Sequence, residues 1–219
     1  MGLKAIVAGA TGLVGSRLIH ILLEDIRFEH IHILVRRNTG LRHPRLTEHL
    51  IDFENPHEWK ALLKGDVLFS AMGTTLRKAG SKENQYKVDY TFQYELARAA
   101  ATNGVPDLVL VSSAGARPDS LFFYTKMKGQ LDEAVQKLSF RRIFILRPSF
   151  LEGTRAERRK GEKLMLILTK AVTSVFFRRY RPIRARMVAQ AMINALFFND
   201  DISGTVVYNP DQLFYLATS

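Results

Sequence analysis

Cysteine is missing from all 219 residues. Its absence excludes disulfides, thiolate metal sites and cysteine nucleophiles, and it suits a reducing compartment. Tryptophan occurs once, at Trp59, and is expected in the core. No apolar run reaches the roughly 20 residues that span a bilayer, and no repeat, low-complexity tract or linker marks a second domain. The six histidines are scattered without HExxH spacing, so no metal site is read. GxSxG and P-loop patterns are missing as well, which leaves hydrolase and triphosphatase chemistry without a physical basis. The opening MGLKAIVAGATG runs directly into a strand and a glycine turn, with no basic leader and long apolar core, so export is not expected. These absences together predict a soluble, cytoplasmic protein.

With 47% hydrophobic and 24% charged residues, the chain can bury a sizeable core as one domain over residues 1–219. Its net charge of +11 is unevenly placed. Residues 1–140 hold 18 basic and 15 acidic side chains, residues 141–186 hold 14 and 3, and residues 187–219 hold 0 and 3. The basic segment reads either as a solvated face or as a surface for an anionic partner.

Short β-branched apolar runs alternate with helical patterns through the first half, as parallel strands crossed by helices require. The class is α/β, a Rossmann-type doubly wound parallel sheet with helices on both faces. Strands are predicted at Leu3 to Ala8, Ile31 to Val35, around His49 to Asp52, Val67 to Ala71, Leu108 to Ser112, Ile143 to Arg147 and near Thr205 to Tyr208. Helices are predicted near Leu13 to Asp25, Asn55 to Leu63, Tyr86 to Asn103 and Ser120 to Leu138, the first carrying Val14, Leu18, Ile19, Leu22 and Leu23 on one stripe. Beyond Arg147 a polar stretch from Glu152 to Lys163 reads as a loop, followed by helices at about Leu164 to Phe177 and Ala185 to Phe198. Residues 148–204 are expected to form a small substrate-side extension.

The motif GATGLVG puts Gly9, Gly12 and Gly15 between the first strand and the first helix. Glycines there permit a tight turn and let backbone N–H groups approach a pyrophosphate at the positive end of the helix dipole, with Thr11, Leu13 and Val14 lining the contact. In the second strand, IHILVRR has Arg36 and Arg37 where an acidic residue would hold an NAD ribose. Guanidinium groups pair with a ribose 2′-phosphate, which argues for NADP(H), although surface arginines of a basic protein are the plain alternative.

A second motif places Tyr124 four residues before Lys128 in FFYTKMKG, downstream of Ser112 and Ser113 at the end of LVLVSSAGA. Residues four apart share a helix face, so an ammonium can lie near the phenol. A free phenol titrates near 10, and a nearby cation favours the phenolate, bringing proton exchange within reach of neutral pH. Ser113 could hold a substrate carbonyl by a hydrogen bond.

On GATGLVG, AMGTTLRKAGS, KVDYTF, LVLVSSAGA, FYTKMKG and LRPSFLEGTRAERRKGE, in that order, residues 3 to 163 resemble the small atypical short-chain dehydrogenases/reductases, and more narrowly the oxidoreductases related to the Tat-interacting protein (the CC3-like group). The resemblance implies that Tyr124 is the proton donor, that Lys128 binds the nicotinamide ribose and supports Tyr124, and that Ser113 orients the carbonyl. It also implies Asp52 and Phe53 near the adenine, Ala71, Met72 and Gly73 along the ribose, and Pro148, Ser149 and Phe150 beside the nicotinamide. The chain departs from the extended branch in having Asp89 where an asparagine is usual, and in ending without a larger substrate domain.

The expected activity is NADPH-dependent hydride transfer to or from a small carbonyl or alcohol, with an anionic substrate favoured if Arg155, Arg158, Arg159 and Lys160 face the pocket. An NADPH-binding regulator with little turnover is the alternative from another class. No nucleic-acid module is recognised, and a homodimer is left open. Leu164 to Phe177, with Arg178, Arg179 and Arg181 behind it, reads as a helix over the pocket or at a dimer seam in preference to a membrane-surface anchor.

Overall fold

The computed structural model of the chain describes residues 2–152, 181–198 and 202–219. Strands β1 (Leu3–Ala8), β2 (Phe28–Val35), β3 (Leu46–Leu50), β4 (Val67–Ser70), β5 (Asp107–Val111) and β6 (Arg142–Leu146) alternate with helices except between β2 and β3, which a loop joins, and two two-residue strands, β7 (Leu151–Glu152) and β8 (Ile183–Arg184), precede the last, β9 (Gly204–Tyr208). Seven of these pair in parallel in the order β3-β2-β1-β4-β5-β6-β9, while β7 and β8 form a small parallel ladder of their own. Sequence order reverses between β1 and β4, so the connections after these two strands leave the sheet in opposite directions and open a crevice at its carboxyl edge.

The sheet is covered on both faces, and for that reason its strands read as continuous apolar runs. Along β1, Ala5 and Val7 enter one layer while Ile6 and Ala8 enter the other, all four fully buried. The first layer is made by α1 (Leu13–Glu24), α7 (Ala185–Phe198) and α8 (Pro210–Leu216), which contribute Leu18, Leu22, Met192, Leu196 and Leu213. The second is made by α2 (Pro56–Trp59) with its 3₁₀ continuation Lys60–Leu62, by α5 (Phe92–Thr102) and by α6 (Phe123–Val135). Trp59 lies wholly inside that layer, as expected of a core residue, and its indole N–H donates to the Asp52 carbonyl at 2.9 Å. Each such fully buried large side chain contributes roughly 1.5–3 kcal/mol by removal from water.

Most element boundaries fall within two or three residues of expectation, and the departures have local causes. Edge strand β3 begins at Leu46 instead of His49, because LTEHL is half-buried and lacks the apolar alternation that marks an inner strand. The helix expected from Tyr86 to Asn103 begins earlier, as α4 (Lys82–Tyr86), and joins α5 through a five-residue π turn, Lys87–Thr91. A short helix α3 (Leu76–Ala79) is capped by the Thr75 hydroxyl and ended by Gly80 at φ +81°. Helix α8 follows a capping box in which Asn209 and Gln212 serve each other's backbone N–H, with Pro210 in its first turn. The loop from Glu152 to Lys163, apart from Glu152 itself, and the helix at Leu164 to Phe177 lie outside the described residues.

Candidate active site

The glycine turn after β1 stands at the reversal point of the sheet. Gly9 has φ +85°, and a Cβ there would lie 2.6 Å from the Ala71 carbonyl carbon at the end of β4. A Cβ on Gly15 would lie 2.1 Å from the Gly9 oxygen, so helix α1 can seat against the turn only through glycine. Gly12 is the N-cap of α1, its N–H bonded to the Gly9 oxygen at 2.9 Å, and no side chain caps the first-turn amides of the helix. These amides at a helix N-terminus form an anion cradle that a pyrophosphate fits. Thr11 and Leu13 are exposed at the turn, whereas the Val14 side chain is buried in the core, so Val14 can meet a ligand only through its backbone.

The other residues expected around a dinucleotide stand at the same carboxyl edge. Arg36 and Arg37 are exposed directly after β2, one strand from the glycine turn. Asp52 and Phe53 follow β3, with Phe53 buried against Phe92 at a ring distance of 5.6 Å and Asp52 exposed. Ala71, Met72 and Gly73 follow β4. Pro148, Ser149 and Phe150 follow β6, where Pro148 is buried, the Ser149 hydroxyl donates to the Arg181 carbonyl, and Phe150 is 72% exposed.

On the far side of the crevice, Tyr124 occupies the first turn of α6 and is 39% exposed, while Lys128, one turn later, is 2% exposed. Ser113 lies just beyond β5. The segment that follows it docks on α6: the Arg117 N–H donates to the Thr125 carbonyl at 3.0 Å, and a Cβ on Gly129 would meet Arg117 backbone at 2.1 Å. Gly129 thus lets the Ser113 loop close onto the helix that carries the tyrosine and the lysine.

Two buried carboxylates flank Lys128, and motif reading assigned a role to neither. Asp89 sits within the π turn with no exposed surface; its Oδ1 lies 3.5 Å from Lys128 Nζ and its Oδ2 accepts from the Thr74 N–H at 2.9 Å. Burial pushes the Asp89 carboxyl above its ordinary range, against the opposing pull of Lys128 and of the Thr74 N–H. Asp132, one turn after Lys128 on α6, pairs with Arg147 through Nε at 3.0 Å and Nη2 at 2.9 Å. Its carboxyl is also raised by burial, in spite of Ser112, Arg147 and Lys128. The spacing Lys128–Asp132 was a usable signal in the sequence, since residues four apart share a helix face.

Of the basic segment, Arg141 and Arg142 both pair with Asp107, Arg147 with Asp132, and Arg184 with Glu152, so these charges are engaged within the fold. Arg155, Arg158, Arg159 and Lys160 lie outside the described residues. At the opposite edge of the sheet, His32 Nδ1 and His49 Nε2 share a hydrogen bond at 3.0 Å, and His32 is pushed down to about 4 by burial and by neighbouring His30, His49 and Lys4. Among the described residues no group of three or more His, Cys, Asp or Glu side chains is arranged to hold a metal ion, and no helix is long and apolar enough to cross a membrane.

Comparison with known proteins bears on this geometry. Residues 9–197 match the model of a family described as NAD(P)H-binding. The chain is 38% identical over 164 residues to the protein FMP52-1, mitochondrial, of Scheffersomyces stipitis, covering 73% of this chain and 71% of that protein. It is 37% identical over 178 residues to FMP52, mitochondrial, of Coccidioides immitis, covering 75% and 72%. Among solved structures, MoeE5 in complex with UDP-glucose and NAD superimposes with a TM-score of 0.70 at 17% identity over 94% of this chain and 75% of that one, a likeness of fold. The names of the fungal relatives overturn the cytoplasmic expectation. Lack of cysteine excludes disulfides but suits any reducing compartment, so it had no power to single out the cytoplasm.

The raised Asp132 carboxyl yields a prediction whose sign is definite. The native state binds this proton more tightly than the unfolded chain, so the associated stability is fully present below the ordinary value of 3.8 and is lost as pH rises through the native value. Asp132→Asn cannot ionise. Its melting temperature should therefore rise relative to the parent as pH goes from about 4 to about 7; thermal melts in which the gap stays flat or reverses would show that Arg147 outweighs burial.

Proposed function

The chain belongs to the NAD(P)H-binding family, and from that premise we propose that it is an NADPH-dependent oxidoreductase of the short-chain dehydrogenase/reductase type, acting on a small carbonyl or alcohol. The observation that carries the reading is the pairing of an exposed phenol, Tyr124, with a buried lysine, Lys128, one helical turn apart, beside a crevice in whose turn neither Gly9 nor Gly15 tolerates a Cβ. The residues fit a dinucleotide. Gly9, Gly12 and the first turn of α1 would hold the pyrophosphate, Arg36 and Arg37 the 2′-phosphate, and Lys128 the nicotinamide ribose. When bound, the coenzyme supplies or takes up the hydride.

The chain's own groups do the proton chemistry. In the reductive direction Tyr124 gives its proton to the carbonyl oxygen, and Ser113 and Tyr124 hold the developing negative charge by hydrogen bonds. The Lys128 ammonium offsets the phenolate left behind, and the exposed side of Tyr124 lets solvent return the proton. The resemblance of six ordered motifs to the Tat-interacting-protein group supports this assignment of roles. The mitochondrial names of the fungal relatives support the same compartment for this chain.

Calorimetric titration should show NADPH binding more tightly than NADH, and replacing Arg36 and Arg37 together with Ala should cut that preference by about 10- to 100-fold, the worth of one or two charge-assisted hydrogen bonds. Equal affinity for both coenzymes in the parent would remove the assignment of the arginines. Tyr124→Phe should lower NADPH-dependent reduction of the most active of a set of aldehydes and ketones by roughly a hundredfold or more while leaving NADPH affinity nearly unchanged; full turnover by this variant would end the catalytic reading. A fluorescent fusion of the full-length protein should overlap a mitochondrial marker, and diffuse cytosolic signal would contradict the assigned compartment.

A further inference from the structure

Three of the six histidines stand together at the β3 edge of the sheet. In the β2–β3 ladder His32 lies opposite Thr47 and His49 opposite Leu34, and side chains two apart on a strand share a face, so His30, His32 and His49 leave the sheet on the same side. Ile31 and Ile33, which alternate with them, enter the core on the other face. The His30 ring packs on His32 at a centroid distance of 4.7 Å, and His32 stacks on His49 at 5.3 Å. His30 Nε2 is engaged with the Thr47 hydroxyl at 2.8 Å. His32 and His49, both half-buried, border an open cleft of about 610 Å³ toward the amino ends of β1, β2 and β4. The carboxylates of Glu29 and Asp66 and the ammonium groups of Lys4 and Lys64 border the same cleft.

Two imidazole nitrogens about 2.0–2.1 Å from one ion stand roughly 2.9–3.4 Å apart at angles from octahedral to tetrahedral. His32 Nδ1 and His49 Nε2 are 3.0 Å apart. We propose that these two nitrogens form a binding site for a divalent transition-metal ion of the kind imidazole prefers, Zn²⁺ first, which clips edge strand β3 to β2. No third His, Cys, Asp or Glu among the described residues is arranged to join them, so water in the open cleft completes the coordination. Neutral imidazole ligates through the nitrogen that carries no proton. The ring that donates in the present hydrogen bond therefore moves its proton to its other nitrogen when the ion takes the place of that bond, and no net proton is released. Glu29 and Asp66 favour a dication in the cleft, and Lys4 and Lys64 oppose it. Lys4 is partly offset by Glu29 at 3.7 Å, and Asp66 accepts from the Lys4 backbone N–H at 2.7 Å. The cleft lies toward the amino ends of the strands, so an ion there is separate from the crevice at their carboxyl ends.

The test uses the full chain without an affinity tag, freed of metal by dialysis against a chelator. Calorimetric titration with ZnCl₂ should show about one saturable equivalent per chain, and Zn²⁺ at about tenfold excess over its dissociation constant should raise the melting temperature by roughly 3 °C or more. No saturable binding, or binding without a rise in melting temperature, overturns the proposal. His32→Gln and His49→Gln should each weaken Zn²⁺ binding by about tenfold or more, because one imidazole is left to hold the ion. His20→Gln, at an exposed position of α1, should bind as the parent does. Unchanged affinity in either of the first two variants, or an equal loss in the third, overturns the proposal. If neither His32→Gln nor His49→Gln folds, Cu²⁺ is titrated into the parent and followed by electron paramagnetic resonance. Coupling of the copper signal to two imidazole nitrogens is expected, and coupling to one or none overturns the proposal equally. None of these readouts depends on turnover or on the coenzyme.

Discussion

Everything at the carboxyl edge of the sheet depends on how closely the backbone after β1 approaches the end of β4. At Gly9 the chain passes so near Ala71 that a single methyl group would have to occupy the space of a carbonyl, and at Gly15 the first helix leans on the same turn. That contact brings the uncapped N-terminus of α1 to the one place where neighbouring strands send their connections to opposite faces. The anion cradle and the crevice are therefore consequences of one backbone packing constraint, and a side chain at either glycine would push them apart.

The opposite wall of the crevice follows a different rule. Asp89, Lys128 and Asp132 are each buried almost completely, in an environment that disfavours charge. Both carboxyls are raised because desolvation exceeds the attraction of their partners. Replacing such groups with packed hydrocarbon often leaves a fold as stable or more so. Their presence on and against the helix that carries Tyr124, together with a π turn that interrupts a good helix, fits a region not optimised for stability.

The net charge of +11 has a more ordinary explanation where the structure describes it. Arg141 and Arg142 clamp Asp107 at the amino end of β5, Arg147 reaches Asp132, and Arg184 joins Glu152 across the small second sheet. A cluster that looks in the sequence like one basic surface is thus partly a set of internal counter-charges. Arg181 and Arg186 of the same segment are exposed, and residues 153–180 lie outside the described residues.

The sequence by itself determined the doubly wound class, because burial on both faces demands apolar runs with β-branched residues, and it put the glycine turn between the first strand and the first helix and Tyr124 and Lys128 one turn apart on a single helix, because local spacing carries its own geometry. It even held the capping signals of α8 in Asn209, Pro210 and Gln212, although no helix was expected there. Tertiary structure alone decided that Asp89, 39 positions from Lys128, comes within 3.5 Å of that lysine, that Gly129 admits the Ser113 loop, and that the half-exposed LTEHL is an edge strand. The physical reason is separation along the chain: spacing within one helix or turn fixes which side chains can meet, but contacts between distant segments depend on how the layers pack.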